Sequence, residues 1–301
     1  MVPVNKVQVY ILTYNRPQFI LGAVESALQQ ERDNYEVIVS DNSTNDDTQK
    51  IFLRFRNPIL KYIKRTPCVS MIDHFNIVLK EIKGDYFMIF HDDDVMMDGL
   101  ISKLLYEFTP STAAVASNAY LIKNNLKTEL LYVPGLNSNK TIVAKRELLS
   151  DYLYNKRIVP FPGYLYKHAV SKIEFNMRFG KYADVYFLSQ VLELGSITVI
   201  RDPLFYYRTH DEQDSFFSDY EAKSHLTSFI LRECGLSRKE KTVVFFRLRN
   251  IYDELRTRLL KGERITCHKV FRFVLLCIKN FNFILIFKMM YRIIQYRVHH
   301  R

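Results

Sequence analysis

No stretch of this 301-residue chain supplies the roughly twenty consecutive apolar residues that a membrane-spanning helix needs. The best candidate lies near the C-terminus and is interrupted by Arg272, Lys279, Asn280, Asn282, Lys288 and Arg292, charges and amides that are costly at the centre of a bilayer. Cysteine is sparse. Cys68, Cys234, Cys267 and Cys277 show neither CxxC spacing nor a dense framework, and the N-terminus lacks a basic start followed by a signal-type apolar segment. A reduced, cytoplasmic protein is the expectation. Internal repeats and low-complexity segments are missing too. After Glu263 there is no acidic residue, whereas Arg264, Lys269, Arg272, Lys279, Lys288, Arg292, Arg297 and Arg301 follow it, so much of the net charge of +11 resides in the tail.

What remains is ample for a folded core: 48% of the residues are hydrophobic. Val7 to Leu12 reads as a strand, followed by helical spacing at Ile20, Val24, Ala27 and Leu28. Tyr35 to Val39 reads as a second strand ending at Asp41, then a helix over Ile51 to Phe55, a strand over Leu60 to Ile63, and a helix over Phe75 to Ile82. The apolar run Tyr86 to Phe90 then leads into Asp92-Asp93-Asp94. This alternation predicts an α/β fold with a mainly parallel sheet, whose ligands bind outside the carboxyl ends of the strands. Tyr14, Asp41 and the aspartate triplet all fall at such ends. Further on, Ala113 to Ser117 reads as a strand, Val159 to Tyr166 as an aromatic loop, Lys181 to Leu194 as a helix, and Ile197 to Ile200 and Leu204 to Tyr207 as two short strands. From about Tyr220 only helix is expected, so the boundary is drawn between a domain at 1–220 and a basic, amphipathic helical region at 221–301.

Three adjacent carboxylates repel one another unless a cation joins them. A hard divalent ion held through one or two carboxylates and substrate phosphates provides that compensation. The alternative is a solvated acidic turn ahead of a helix.

Four segments in order resemble the family 2 glycosyltransferases. They are Tyr10 to Pro17; Glu36 to Thr48, similar to a strand ending in Asp-Asp-Gly-Ser-Thr-Asp-x-Thr; Gly84-Asp85-Tyr86 through Asp92-Asp93-Asp94-Val95, matching a DxD region; and Tyr207-Arg208-Thr209-His210. The resemblance covers roughly residues 5 to 215 and implies the GT-A fold, a mainly parallel sheet flanked by helices, to which the pattern of the tail adds a helical C-terminal appendage. It implies a metal-dependent inverting enzyme that moves a sugar from a nucleoside-diphosphate donor, by family default UDP, to a saccharide acceptor.

The resemblance also implies roles. Thr13 and Tyr14 would lie along the nucleotide, and Asp41 would accept the imide N–H of a uracil-type base, or else cap its own turn. Arg16 would contact phosphate, or pair with a neighbouring acid. Within the triplet the register has two forms: Asp92 and Asp94 match if the motif reads Asp-x-Asp; Asp93 and Asp94 match if the two acids immediately precede the aliphatic residue, and His91 then fills a position often acidic. One Asp, Asp92 or Asp93, faces the ribose, and Asp93 or Asp94 holds Mn2+ or Mg2+. Asp184 is the candidate general base, though Ala183 stands where the family usually has Glu; its alternative is a helix-start acid. His210 is a further candidate metal ligand, or a loop hydrogen-bonder.

In the tail, the basic residues sit on the flanks of two short amphipathic helices, which could dock on the catalytic domain or lie on an anionic membrane surface. A lipid-linked acceptor and the cytoplasmic membrane face are the expected partners, with no nucleic acid. The rivals are a sugar-phosphate nucleotidyltransferase, which would need a glycine-rich basic loop that Thr13 to Ile20 does not offer, and a nucleic-acid- or membrane-binding protein on a degenerate transferase fold.

Overall fold

Seven consecutive buried residues make the first strand, β1 (Val7–Thr13). Such a run packs only if both faces of its sheet are covered, the situation of parallel strands in α/β folds. β2 (Tyr35–Asp41) is likewise buried throughout and pairs parallel with β1. β3 (Leu60–Lys64) and β4 (Tyr86–His91) extend this block on either side, giving the parallel order β3-β2-β1-β4. The helices α1 (Pro17–Leu28), α2 (Asp47–Phe52) and α3 (Met71–Glu81) connect its strands. α1 starts at Pro17, whose fixed φ suits a first helical position. α3 starts at Ser70, whose hydroxyl accepts the Asp73 amide and donates to the Asp73 carboxylate.

This computed structural model describes residues 5–30, 33–53, 55–154, 158–209, 219–237, 240–263, 265, 267–280 and 282–299, with side chains described except at 241, 267 and 292–299. Among the described residues the sheet has ten strands, ordered β3-β2-β1-β4, then β9 (Tyr164–Lys167), β6 (Thr112–Lys123), β10 (Ser196–Thr209) and β5 (Val95–Met96), with β7 (Leu126–Leu131) on β6 and β8 (Lys140–Ile142) on β10. The parallel block meets a mixed half at β9, antiparallel to both β4 and β6. A parallel strand, β10, follows on β6, and the two-residue β5 runs antiparallel to β10.

Two expectations differ from what forms. The aromatic segment expected as a loop becomes a short 3-10 turn, Phe161–Gly163, and then β9. Tyr164 and Tyr166 share one buried face while Leu165 joins the core on the other, the period of two that a strand requires. Gly163 permits the approach: a Cβ there would stand 2.6 Å from the Phe205 ring. The two short strands expected around Asp202-Pro203 are one long strand, because β10 absorbs the break as register shifts against β6 at Ile200/Pro203 and Pro203/Tyr206.

By contacts the chain divides into two compact units, 1–148 with 157–176 and 184–210, and 149–156 with 177–183 and 211–301. The first contains the sheet, α4 (Leu100–Tyr106), α5 (Lys145–Leu153) as far as Leu148, and α6 (Ala183–Val191) from Asp184 onward. The second contains α7 (Tyr220–Glu233), α8 (Lys241–Leu260), α9 (Cys267–Lys279) and α10 (Phe283–His299). Its own core is Leu248, Leu255, Phe273, Cys277 and Met289. The two tail helices expected from the sequence are both present, and no helix among the described residues is long and apolar enough to cross a membrane.

Candidate functional site

Strand register sets the site. Thr13 lies opposite Asp41, and Leu12 opposite His91, so the carboxyl ends of β1, β2 and β4 finish at one level. The three aspartates form the turn between β4, in the middle of the sheet, and β5, beside β10. All three are buried, at 3%, 6% and 1% exposure for Asp92, Asp93 and Asp94. A solvated acidic turn is therefore excluded.

Each acid is held differently. Asp92 accepts the Thr13 hydroxyl at 2.6 Å and Arg16 Nη1 at 3.4 Å. The same nitrogen reaches Asp93 Oδ2 at 3.3 Å, so Arg16 pairs with the acids here. Asp94 Oδ1 accepts the Arg208 amide at 2.9 Å, while Arg208 Nε donates to the Asp93 carbonyl at 2.9 Å and Nη1 to Asn125 at 2.7 Å. The Arg208 guanidinium also lies over the Phe19 ring. Asp94 Oδ2 is buried and has no hydrogen-bond partner among the described residues. Burial pushes the Asp92 carboxyl up to about 6, and burial together with the charge of Asp93 raises Asp94 well above the usual carboxylate range.

A metal fits these groups. Donor atoms of His91, Asp93 and Asp94 lie within 4.8 Å of one another, and the orphaned Asp94 oxygen stands 3.9 Å from His91 Nδ1. Burial lowers the His91 pKa, so the ring is a neutral donor, and it stacks on Phe161. A cation would satisfy the orphaned oxygen and relieve the repulsion at once.

Asp41 is fully buried, with Oδ1 accepting the Ser43 amide at 2.8 Å and Oδ2 accepting Tyr62 OH at 2.6 Å and Lys64 Nζ at 3.3 Å. Burial and the Asp41 charge hold the Tyr62 phenol well above its ordinary range. Tyr14 is half exposed. Its neighbour Asn15, at φ 53°, locks the β1–α1 loop to the β2–α2 loop through Ser43 and Thr44. Beneath Asp41, Arg65 Nε donates to Ser40 Oγ at 2.8 Å, Ser40 Oγ lies 2.7 Å from His74 Nε2, and the guanidinium clamps both Glu81 oxygens.

Asp184 stands in the first turn of α6, half-buried, its Oδ1 accepting the Val185 amide at 2.8 Å. Burial pushes its carboxyl up to about 6. Burial raises the Tyr207 phenol well above its usual value, and the charge of Asp94 adds to the effect. Tyr164 and Tyr166 are wholly buried and stack on each other as core. His210 lies outside the described residues.

Sequence reasoning passed over His91 as a donor, although its spacing to Asp93 and Asp94 at a strand end was visible. It also missed Tyr62 and Lys64, which reach Asp41 across paired strands; the Asp41–Lys64 register is the signal.

Residues 8–154 match the family model for glycosyl transferase family 2. Among curated proteins, the chain is 31% identical over 129 residues to an Escherichia coli UDP-Glc:alpha-D-GlcNAc-diphosphoundecaprenol beta-1,3-glucosyltransferase, WfaP, covering 42% of this chain and about half, 51%, of that protein. Among solved structures, Staphylococcus aureus TarS in complex with UDP-GlcNAc aligns at TM-score 0.65 and 16% identity, over 91% of this chain and 80% of that one. A Pyrobaculum calidifontis mannosyltransferase in complex with GDP-Man and Mn2+ aligns at TM-score 0.56 and 13% identity, over 100% and 89%. These structures establish a shared GT-A fold.

Proposed function

The chain carries a glycosyl transferase family 2 domain, and from that premise we propose that it moves one sugar from a UDP-sugar to a lipid-linked saccharide in surface-glycan synthesis, inverting the anomeric carbon. The observation that carries this reading is the buried turn Asp92–Asp94, which joins a trio of metal donors to the converged ends of β1 and β2. WfaP, by its name, uses UDP-Glc and a diphosphoundecaprenol-linked acceptor, which supports the donor and acceptor classes.

His91, Asp93 and Asp94 would hold a divalent cation, Mn2+ or Mg2+, which when bound offsets the negative charge gathering on the departing nucleoside diphosphate. The protein's own groups do the rest. Asp41 takes the uracil imide N–H in place of Lys64 Nζ, the longest of its three hydrogen bonds. Thr13 and Tyr14 line the nucleotide, and Asp92, held by Thr13, faces the ribose. Arg16, paired with Asp92 and Asp93 in this structure, would contact the diphosphate of the donor, for which its planar fork is suited. Asp184 takes the proton from the acceptor hydroxyl as the anomeric carbon gains oxocarbenium character, a task helped by a carboxyl already raised to about 6.

The acceptor's lipid places the reaction at a membrane surface on the cytoplasmic side. α9 exposes Phe271, Leu275 and Ile278, and α10 exposes Phe283, Ile284, Phe287 and Met290. Lys269, Arg272, Lys279 and Lys288 are exposed on the same two helices, a combination that suits an anionic bilayer interface.

Calorimetric titration with UDP, dTDP and GDP, each with Mn2+ and again with EDTA, tests the assignment. UDP binding that requires metal and disappears in the Asp93→Ala, Asp94→Ala double variant is the expected result. Folded protein that binds no nucleotide under any of these conditions overturns it.

A further inference from the structure

The three metal donors are not three oxygens. His91 ends β4 with its side chain one-third exposed, Nδ1 stands 3.9 Å from the unpartnered Asp94 Oδ2, and Asp93 completes the group within 4.8 Å. The imidazole is backed by Phe161, with ring centroids 6.3 Å apart, and Phe161 is itself buried among Phe75, Phe175 and Phe187. Asp94 is fixed, since its other oxygen receives the Arg208 amide.

We infer that His91 is a direct ligand of the metal and that its nitrogen makes this a Mn2+ site that discriminates against Mg2+. The inference rests on the proposed metal-dependent transfer and deepens it. Mg2+ demands oxygen donors in a near-ideal octahedron and keeps its waters, whereas first-row transition ions accept an imidazole readily. A site of two carboxylates and one imidazole therefore binds Mn2+ more tightly, relative to Mg2+, than an all-oxygen site of the same shape would. Two of the three donors are carboxylates, so the charge that recruits the ion is retained while the nitrogen sets its identity. A buried carboxylate oxygen with no hydrogen-bond partner among the described residues, beside a nitrogen too distant for a hydrogen bond, is the arrangement expected of two ligands of one ion.

The test reads the metal, not turnover. Mn2+ alone is added to the full-length protein, with and without UDP, and electron spin-echo spectra are recorded for modulation from a directly bound imidazole nitrogen; Mn2+ and Mg2+ affinities are measured by calorimetry. Wild-type protein is expected to show nitrogen modulation and His91→Ala to lose it, with Mn2+ affinity down about tenfold or more and Mg2+ affinity little changed. Should His91→Ala misfold, as judged by its thermal melt, His91→Asp keeps a donor at the position. It is expected to bind Mg2+ and Mn2+ with more nearly equal affinity. Nitrogen modulation that survives in either variant, or is absent from wild type with Mn2+ bound, overturns the inference. A protein that shows the His91 signal but transfers no sugar keeps this inference and loses the proposed function; one that transfers sugar without the signal does the reverse.

Discussion

Thr13 Oγ1 donates a 2.6 Å hydrogen bond to Asp92 Oδ2, tying the last residue of β1 to the first residue of the acid turn. Both groups are buried, so the hydroxyl is matched to an acceptor that water does not reach freely. Thr13→Val keeps the shape and removes the donor. The buried carboxylate is then short of a partner, and stability is expected to fall by about 1–3 kcal/mol in urea unfolding. An unchanged midpoint would show that Arg16 and the Tyr14 backbone suffice.

Asp184 gives a pH dependence with a defined sign. Its carboxyl is raised by burial to about 6 from 3.8, so between those values the folded protein binds a proton that the unfolded chain has lost. Stability from this group is full below about pH 4 and is lost as the pH rises through 6. Asp184→Asn is therefore expected to be more stable than wild type at pH 7, on the order of 1–3 kcal/mol. Activity runs the other way: as a base Asp184 works only when ionised, so kcat/KM should rise with pH to a plateau above about 6, and the variant should lose about 10²–10⁴-fold. A variant that gains stability while keeping wild-type turnover would rule Asp184 out as the base.

His74 has the opposite linkage. Burial, then Arg65, lowers its pKa to about 4, so the unfolded chain binds the extra proton below the ordinary histidine range near 6.5. Its contribution is complete above 6.5 and is lost as the pH falls through 4. Wild-type protein should weaken over that window, and His74→Gln, which stays neutral, should show a flatter profile. Denaturant midpoints from pH 4 to 7 make the comparison.

Arg208→Lys keeps a positive charge but loses the Nε hydrogen bond to the Asp93 carbonyl and the Nη1 hydrogen bond to Asn125. The backbone amide that serves Asp94 is untouched. We expect donor KM to change little and kcat to fall about tenfold, because the brace sets the acid turn and does not grip the base. A uniform rise in KM alone would assign Arg208 to substrate binding instead.

Phe271→Glu and Phe287→Glu place charge on exposed apolar positions of α9 and α10. Sedimentation with phosphatidylglycerol vesicles should show partitioning reduced about tenfold or more for each, given the ~1.5–3 kcal/mol that burying a phenylalanine is worth. Catalysis on a water-soluble acceptor should be retained. Partitioning equal to wild type would remove the membrane from the account of these helices.

The parallel half of the sheet was readable because its strands are short apolar runs with polar punctuation at their carboxyl ends, and Thr13, Asp41 and Asp92–Asp94 sit at those punctuation marks. Local periodicity suffices there. β9 was hidden because Pro160 and Pro162 read as loop, while the Tyr164-Leu165-Tyr166 alternation is three residues long and gains meaning only between β4 and β6. The continuity of β10 was hidden for a related reason: Asp202-Pro203 is a turn signal that neighbouring strands override. Contacts such as Arg208 with Asp94 join residues more than a hundred positions apart and leave no trace in a single sequence.

That last separation has a consequence during synthesis. β1 to β4 emerge from the ribosome first and contain every strand that the acid turn follows, yet the amide and guanidinium that fix Asp94 and the Asp93 carbonyl belong to residue 208, which is translated 114 positions after Asp94. At roughly 5–20 residues per second the triplet spends about 6–23 s outside the peptidyl-transferase centre without its brace. A nascent chain stalled before β10 would already hold Asp92 and Asp93 through Thr13 and Arg16, and would still leave Asp94 without its amide donor and the Asp93 carbonyl without its guanidinium.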